Sequence, residues 1–289
     1  MQIVLQLIIN AIIAGSVYAL VASGLTFIYA TSRIFHLAHG VVILLGGYVF
    51  HYVWVVLGFS PALAAVCAIV VSVATGLIMN ELVYETQRKR KAKRMAYLIS
   101  TIALLMIGNA LVLLLFGSSL KAFSVQTEVY RFFDLNITLM QIILIIVSTL
   151  LLLTLSFIVK KTKFGKAMRA TADNEEVAEV MGIKTRDIRR LSFLVGSLLG
   201  AIAGILIGLE FNLDPNMGVY LAIKGFTAMV IGGVGSIGGA IFGAFIVGLF
   251  EQIAVWFFGA GWKNSMAFVL LFFFLLLRPQ GLFGMRKFK

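Results

Sequence analysis

Charge is scarce in this sequence. Asp and Glu together number 12 in 289 residues, and charged residues of both signs make up only 12%. A soluble globular chain carries roughly twice that fraction, so a protein solvated by water over most of its surface is excluded. Cysteine is nearly absent. The single one, Cys67, sits in an apolar run and reads as a small buried apolar residue; no internal disulfide and no paired-cysteine metal site can form. Histidine occurs three times, as His36, His39 and His51, with no carboxylate or cysteine at metal-ligand spacing. His36 and His39 could share a helical face, but two ligands make a weak cation site. No Ser-His-Asp arrangement suggests hydrolysis. No G-x-x-x-x-G-K-[ST] stretch occurs, so the chain does not cradle a nucleotide by that route.

What fills the chain is hydrophobic residue, 61% of the total, with a mean hydropathy of +1.04. Residues 96–116, 139–159 and 191–209 contain no charge at all. Each is about the length of the ~20-residue helix that crosses a bilayer core. The runs are about twice the length of a barrel strand and do not alternate, which excludes a membrane β-barrel. Candidate spans are 3–30, 40–57, 61–84, 96–116, 139–159, 191–209, 219–234, 238–258 and 264–278. The first has no basic region before it and reads as a span, not a cleaved signal. The segment 219–234 is short and glycine-rich, as a half-helix or re-entrant piece would be. The expected fold is an all-α polytopic helix bundle of about eight to nine membrane segments, one transmembrane domain over 1–289.

The net charge of +12 does not indicate nucleic acid, because the basic residues fall in a few short loops, as topology signals do. They are 87–94, the stretch Lys160–Arg190 with nine Lys/Arg against five Asp/Glu, and the tail with Arg286, Lys287 and Lys289. The positive-inside rule puts all three in the cytoplasm. Segments 117–138 and 210–220 then lie outside, together with Lys121, Arg131, Lys224 and Lys263, and so does the N-terminus.

Glycines recur every four residues at Gly196, Gly200, Gly204 and Gly208, and again at Gly235, Gly239 and Gly243. That spacing suits close helix packing, with a sliding surface as the functional alternative. The stretches 24–48 and 225–247 echo each other faintly as apolar segment, polar break, apolar segment. Gly233–Gly238 matches G-x-G-x-x-G, but it lies between membrane segments with no βαβ unit around it, so a tight turn is the better reading.

Glu251 lies in mid-span, where a carboxylate is costly and faces protein or water. A structural hydrogen bond between helices competes there with a place on a substrate path. Asn109 and Thr101 are weaker cases. The stretch Lys160–Arg190 is too polar to span and too patterned for a plain linker. Val177, Ala178, Val180 and Met181 suit one face of a short helix, with Asp173 or Asn174 as N-cap and Gly182 beyond its end. Such a helix could lie on the membrane surface or dock on a cytoplasmic partner.

This loop resembles the coupling loop of ABC importer permeases, and more closely that of the branched-chain amino-acid permease family. Thr162, Gly165, Ala167, Arg169 and Ala170, followed by Ala178, Gly182 and Ile183, fill its T-x-x-G-x-A-x-R-A…A-x-x-x-G-I pattern. His36-Leu37-Ala38-His39-Gly40 with Gly46-Gly47-Tyr48 resembles the family's N-F-A-H-G…G-x-Y, departing at His36-Leu37. Residues 222–240 are similar to its K-A-F-T-A…G-G-x-G-S-x-x-G-A segment, Glu251 falls where members carry Glu, and 278–284 resembles its P-x-G-L-x-G ending. Order and spacing hold over essentially the whole chain, and the length is more similar to the LivH-type subunit than to the LivM-type.

The resemblance implies a non-enzymatic permease subunit in a bacterial inner membrane, with no cofactor of its own. Its implied partners are two ATP-binding cassette ATPases, a second permease subunit (LivM-like, or a homodimer mate) and an extracytoplasmic solute-binding protein. The implied coupling residues are Gly165, Arg169, Ala170, Asn174, Glu175, Ala178 and Gly182. Glu251, His39, Thr101, Asn109, Gly232 and Gly235 are the candidates for a translocation path or gate. Urea or short-amide permeases look similar within the family, and an ion-coupled carrier with Glu251 as its acid is the alternative from another class.

Overall fold

A computed structural model describes residues 2–123, 129–132, 135–278 and 280–283. The tail residues Arg286, Lys287 and Lys289, and Pro279 and Gly284 of the C-terminal motif, lie outside the described residues.

The chain is a bundle of helices in the order α1 (Gln2–Ser32), α2 (His39–His51), α3 (Pro61–Ile78), α4 (Glu85–Lys89) and α5 (Arg94–Phe116). A hairpin of β1 (Val129–Phe132) and β2 (Leu135–Thr138) follows. Then come α6 (Leu139–Lys161), α7 (Lys163–Asp173), α8 (Glu175–Val180), α9 (Thr185–Phe211), α10 (Met217–Gly232), α11 (Ile237–Phe258) and α12 (Ser265–Leu277). Wider π-helical turns extend α2 over Tyr52–Val56 and join α3 to α4 over Met79–Tyr84. Among the described residues, seven helices are long and apolar enough to cross a membrane, and α10 and α12 are shorter apolar helices. The chain is a multi-pass membrane protein.

Local chemistry sets the boundaries. Nothing in α1 interrupts a helix, since its 31 residues include no proline and no charge. At 1.5 Å per residue it is about 46 Å long, more than the ~30 Å hydrocarbon core. Ser60 caps α3 with Pro61 at its first position, Thr138 and Gln141 form a capping box at α6, and Ser236 caps α11. Each satisfies backbone N–H groups that the first turn leaves free.

The segment expected to be short or re-entrant is α10, a single helix of 16 residues, about 24 Å long. It is buried over most of its length because it packs between α1, α2, α11 and α12. Helix α9 is the most enclosed of the long helices, with 72% of its apolar window buried against 17% for α5 and for α6. The outer helices display large apolar side chains, such as Met106 at 68%, Leu114 at 80% and Leu153 at 62% exposure. Lipid is the solvent that makes this arrangement stable.

The glycine spacing is a packing device. A Cβ on Gly204 would sit 1.9 Å from the Ile43 carbonyl oxygen of α2, and one on Gly232 would sit 2.0 Å from that of Gly239. Gly196 and Gly200 likewise face Ile28 of α1 and His39 of α2. The second series differs from the sequence expectation. Gly239 and Gly243 face α10, but Gly235 has φ +91° and stands in the turn before α11. A spacing of four places residues on one face only inside a helix, and α11 begins at Ile237. Gly233, with φ +105°, opens the same turn, so the G-x-G-x-x-G match is a helix-to-helix turn.

That turn is closed by the C-terminal segment. Leu282 and Phe283 donate their N–H groups to the carbonyls of Ile231 and Gly232, at 2.8 and 3.0 Å. They satisfy the free carbonyl end of α10. Gly281 adopts φ +73° and passes so close to Gly233 that a Cβ would lie 2.5 Å from it. The stretches 24–48 and 225–247 each hold a helix end, a tight turn and a second helix. Cys67 is half-buried, not buried, in α3.

Candidate functional site

Two clusters of polar groups lie at opposite ends of the bundle, one at the end that carries 85–94 and 163–184 (the basic end) and one toward the hairpin.

At the basic end the polar loop folds as two helices where the sequence suggested one. Thr162 caps α7 by accepting from Gly165 N at 3.0 Å, and Asn174 ends α7 and caps α8 by accepting from Val177 N at 3.1 Å. Only glycine fits at 165, where a Cβ would meet the Val159 carbonyl oxygen at 2.2 Å and so push α7 off the end of α6. Gly182 has φ +84°, the left-handed geometry of a helix C-terminus. Arg169 donates to the Val159 carbonyl. Ala170 is exposed, and its carbonyl accepts from Asn174 N at 3.1 Å.

Ion pairs tie this element to α4 and α9, and hydrogen bonds tie it to the end of α1. Glu175 of α8 accepts from Arg88 at 3.0 and 3.2 Å and also from Arg189 of α9. Arg189 grips Glu85 of α4 with two bonds, 2.7 and 3.2 Å, and both side chains are buried. Arg88 also donates to the Ser32 carbonyl at the end of α1, at 2.9 Å, and Arg33 donates to the Ala172 carbonyl. Thr185 links Arg189 to Glu179. A buried guanidinium held by two carboxylates is compensated and geometrically fixed. On α8 only Ala178 is buried; Val177, Val180 and Met181 are 56%, 86% and 77% exposed. The three apolar residues that sequence reading put on one face with Ala178 are uncovered within this chain.

Toward the hairpin, Glu251 of α11 is 1% exposed. It accepts from the Tyr18 hydroxyl at 2.9 and 3.0 Å, pairs with Lys224 Nζ at 2.9 Å and lies 3.4 Å from Lys263 Nζ. Lys224 also donates to Tyr18 at 3.0 Å. Gly248, one turn earlier, lets α1 pass: a Cβ there would sit 2.8 Å from the Ala11 carbonyl oxygen. Here the structure corrects the sequence reading, which counted Lys224 among the outside charges. Lys224 is 4% exposed inside the bundle, because α10 carries it to the carboxylate of α11.

The other candidates lie apart from Glu251. Thr101 accepts from Ala38 N at 3.0 Å and so holds the turn that starts α2. His39 is fully buried in a gap opened by glycines, since a Cβ on Gly24 or Gly200 would lie 3.0 or 2.9 Å from its Nε2. Neither of its ring nitrogens has a hydrogen-bond partner among the described residues, and the same holds for Asn109 Oδ1. His36 meets the Tyr84 hydroxyl at 2.8 Å and His39 at a ring distance of 5.9 Å. Among the described residues no three His, Cys, Asp or Glu groups gather as metal ligands would. Gly232 and Gly235 belong to the turn at the basic end of α10. Sequence reasoning missed Tyr18, Lys224, Glu85, Arg88 and Arg189. A usable signal existed for Lys224 alone, a lysine within an otherwise apolar 16-residue helix.

Residues 7–277 match the family model described as "Branched-chain amino acid transport system / permease component". The chain is 32% identical to the high-affinity branched-chain amino acid transport system permease protein BraD of Pseudomonas aeruginosa, over 97% of this chain and 95% of that one. It is 33% identical to the corresponding protein LivH of Escherichia coli K12, with the same coverage. Identity is 28% to a probable branched-chain amino acid transport permease protein LivH of Methanocaldococcus jannaschii, over 95% and 91%. Among solved structures, PsaBC from Streptococcus pneumoniae in complex with Fab shares the fold at a TM-score of 0.53 and 16% identity, over 94% of this chain and 91% of that one. A multi-pass bundle with a polar two-helix element tied to its basic end, matched over nearly its full length, belongs to the family of branched-chain amino acid transport system permease components.

Proposed function

We propose that this chain is one membrane-spanning subunit of an importer that moves branched-chain amino acids and takes its energy from separate ATPase subunits. The observation that carries the reading is the α7–α8 element. It offers exposed Val177, Val180 and Met181 for docking, and it is bound through Glu175 to Arg88 and Arg189. An apolar helix face of this kind suits a hydrophobic groove on a partner. A partner that closes on ATP and displaces α8 would pull on the ends of α4 and α9 directly, and on α1 through the Ser32 carbonyl. The glycine-lined face of α9 then permits movement against α2. ATP shifts the outward- and inward-facing states only through contacts that differ between them. The basic end is assigned to the cytoplasm of a bacterial inner membrane by its Lys/Arg excess.

The partners proposed are two ATP-binding cassette ATPases, a LivM-like second permease or a homodimer mate, and an extracytoplasmic binding protein. An ion-coupled carrier is less well supported. Its coupling acid must exchange a cation, whereas Glu251 already faces two ammonium groups and a phenol.

Uptake of radiolabelled leucine, urea and ribose in cells lacking the chain tests the proposal. Selective loss of leucine uptake is expected. Unchanged leucine uptake with loss of another solute would overturn it.

A further inference from the structure

We propose that the cavity at the hairpin end of α1, α9 and α10 binds a zwitterionic α-amino acid, with Lys263 taking the carboxylate and Asp214 the ammonium. The inference rests on the import of an amino acid proposed above and is independent of how the ATPases dock.

The cavity has a volume of about 210 Å³, and both Lys263 and Asp214 line it. Lys224 and Tyr18 line it too, and both are bonded to Glu251. These groups do not balance. Two lysines face the one carboxylate of Glu251, and Lys224 takes the close contact at 2.9 Å while Lys263 reaches it only at 3.4 Å. The Lys263 side chain is 32% exposed and lies over the Phe211 ring, so its ammonium can turn to a ligand while Glu251 stays paired. Lys263 therefore has no close carboxylate of its own: Glu251 is taken by Lys224, and Glu210, whose charge also acts on Lys263, is held by Gln141 at 2.7 Å.

Asp214 stands in the loop between α9 and α10. Its Oδ1 accepts from Asn216 N at 2.6 Å, and among the described residues it has no basic partner. A half-buried carboxylate held in place by the backbone and lacking a cation can accept an ammonium group. A carboxylate alone or an amine alone would leave one anchor uncompensated, which is costly in a site partly withdrawn from water. Between the anchors the walls are aliphatic, from Val17, Ile207 and Leu221, and suit an apolar side chain.

The test uses the full chain in lipid nanodiscs and ligand-observed saturation-transfer NMR, which reads weak binding. Leucine is compared with leucinamide, which lacks the carboxylate, and with 4-methylpentanoate, which lacks the ammonium. Leucine is expected to bind about tenfold more tightly than either, the worth of one charge-assisted contact. Asp214→Asn should erase the preference over 4-methylpentanoate and keep that over leucinamide. Lys263→Gln should do the reverse, and Lys263→Arg should restore the original pattern. Both side chains are only partly buried, and far-ultraviolet dichroism with a monodisperse elution profile checks that the variants fold. No binding of leucine, equal binding of all three ligands, or unchanged preferences in both variants overturns the site. A flat ligand series alongside leucine uptake that still depends on the chain sinks the site and leaves the import reading standing. Zwitterion-selective binding alongside chain-independent leucine uptake upholds the site and removes leucine as the cargo.

Discussion

Lys224 and Glu251 face each other at 2.9 Å inside the bundle, each less than 5% exposed, with the Tyr18 hydroxyl bonded to both. The contact joins α10 to α11 and, through Tyr18, to α1. Replacing Lys224 by Met leaves Glu251 with the Tyr18 hydroxyl and, as its only cation, the more distant Lys263. Removing one partner of a buried pair costs about 3–5 kcal/mol, so Lys224→Met is expected to lower the thermal unfolding temperature in detergent. The double variant Lys224→Met with Glu251→Gln should recover much of that loss, because no buried charge is then left unpaired; Lys263, 32% exposed, keeps access to water. A double variant as unstable as the single one would show that packing, not charge, holds these helices together.

Glu175 is the one carboxylate of α8 shared by Arg88 and Arg189. Changing Glu175 to Gln keeps its shape and removes the charge. Uptake by the reconstituted assembly is expected to fall about tenfold, the size of one lost charge-assisted hydrogen bond, while ATP hydrolysis continues. Uptake and hydrolysis falling in proportion would count against a role in coupling.

Val180 is 86% exposed at the end of α8 and touches little within the chain. Val180→Glu should therefore leave membrane abundance unchanged, as surface substitutions usually do. Copurification of the ATPase subunit should be lost. An intact complex would mean that the partner docks elsewhere.

Gly204 sets the approach of α9 to α2. In an isolated helix, Gly→Ala is worth about 1 kcal/mol in favour of the variant. Here the added carbon would sit 1.9 Å from the Ile43 carbonyl oxygen, and overpacking of a close interface costs about 1–3 kcal/mol. Gly204→Ala is expected to unfold at a lower temperature than the parent. A higher one would show that α9 has room to shift.

Orientation is accessible to labelling. In a Cys67→Ser background, an impermeant maleimide should modify Ser119→Cys in intact cells and Lys91→Cys only after permeabilisation. Both parent residues are exposed, at opposite ends of the bundle. The opposite pattern would invert the assignment of the basic end to the cytoplasm.

What the sequence determined by itself was the list of spans and the place of the polar loop. Length and uninterrupted hydropathy are properties of contiguous residues, and lipid makes them sufficient to select helices. The expected ends of α5, α6 and α11 agree with the structure to within about two residues, the ordinary scatter of helix ends. Asn174 and Gly182 were legible because caps act on neighbours a few residues away. Only the tertiary structure decided what the charges do. Glu85 and Arg189 are 104 residues apart in sequence, and Tyr18 and Glu251 are 233 apart. Nothing local marks them as partners. Lys224 shows the reason most plainly. From sequence it is a lone basic residue in a short apolar segment, counted with the outside charges, and a lysine is cheap only in water. Burial between α10 and α11 becomes tolerable because Glu251 arrives from the next helix, and that meeting exists only after the helices have packed.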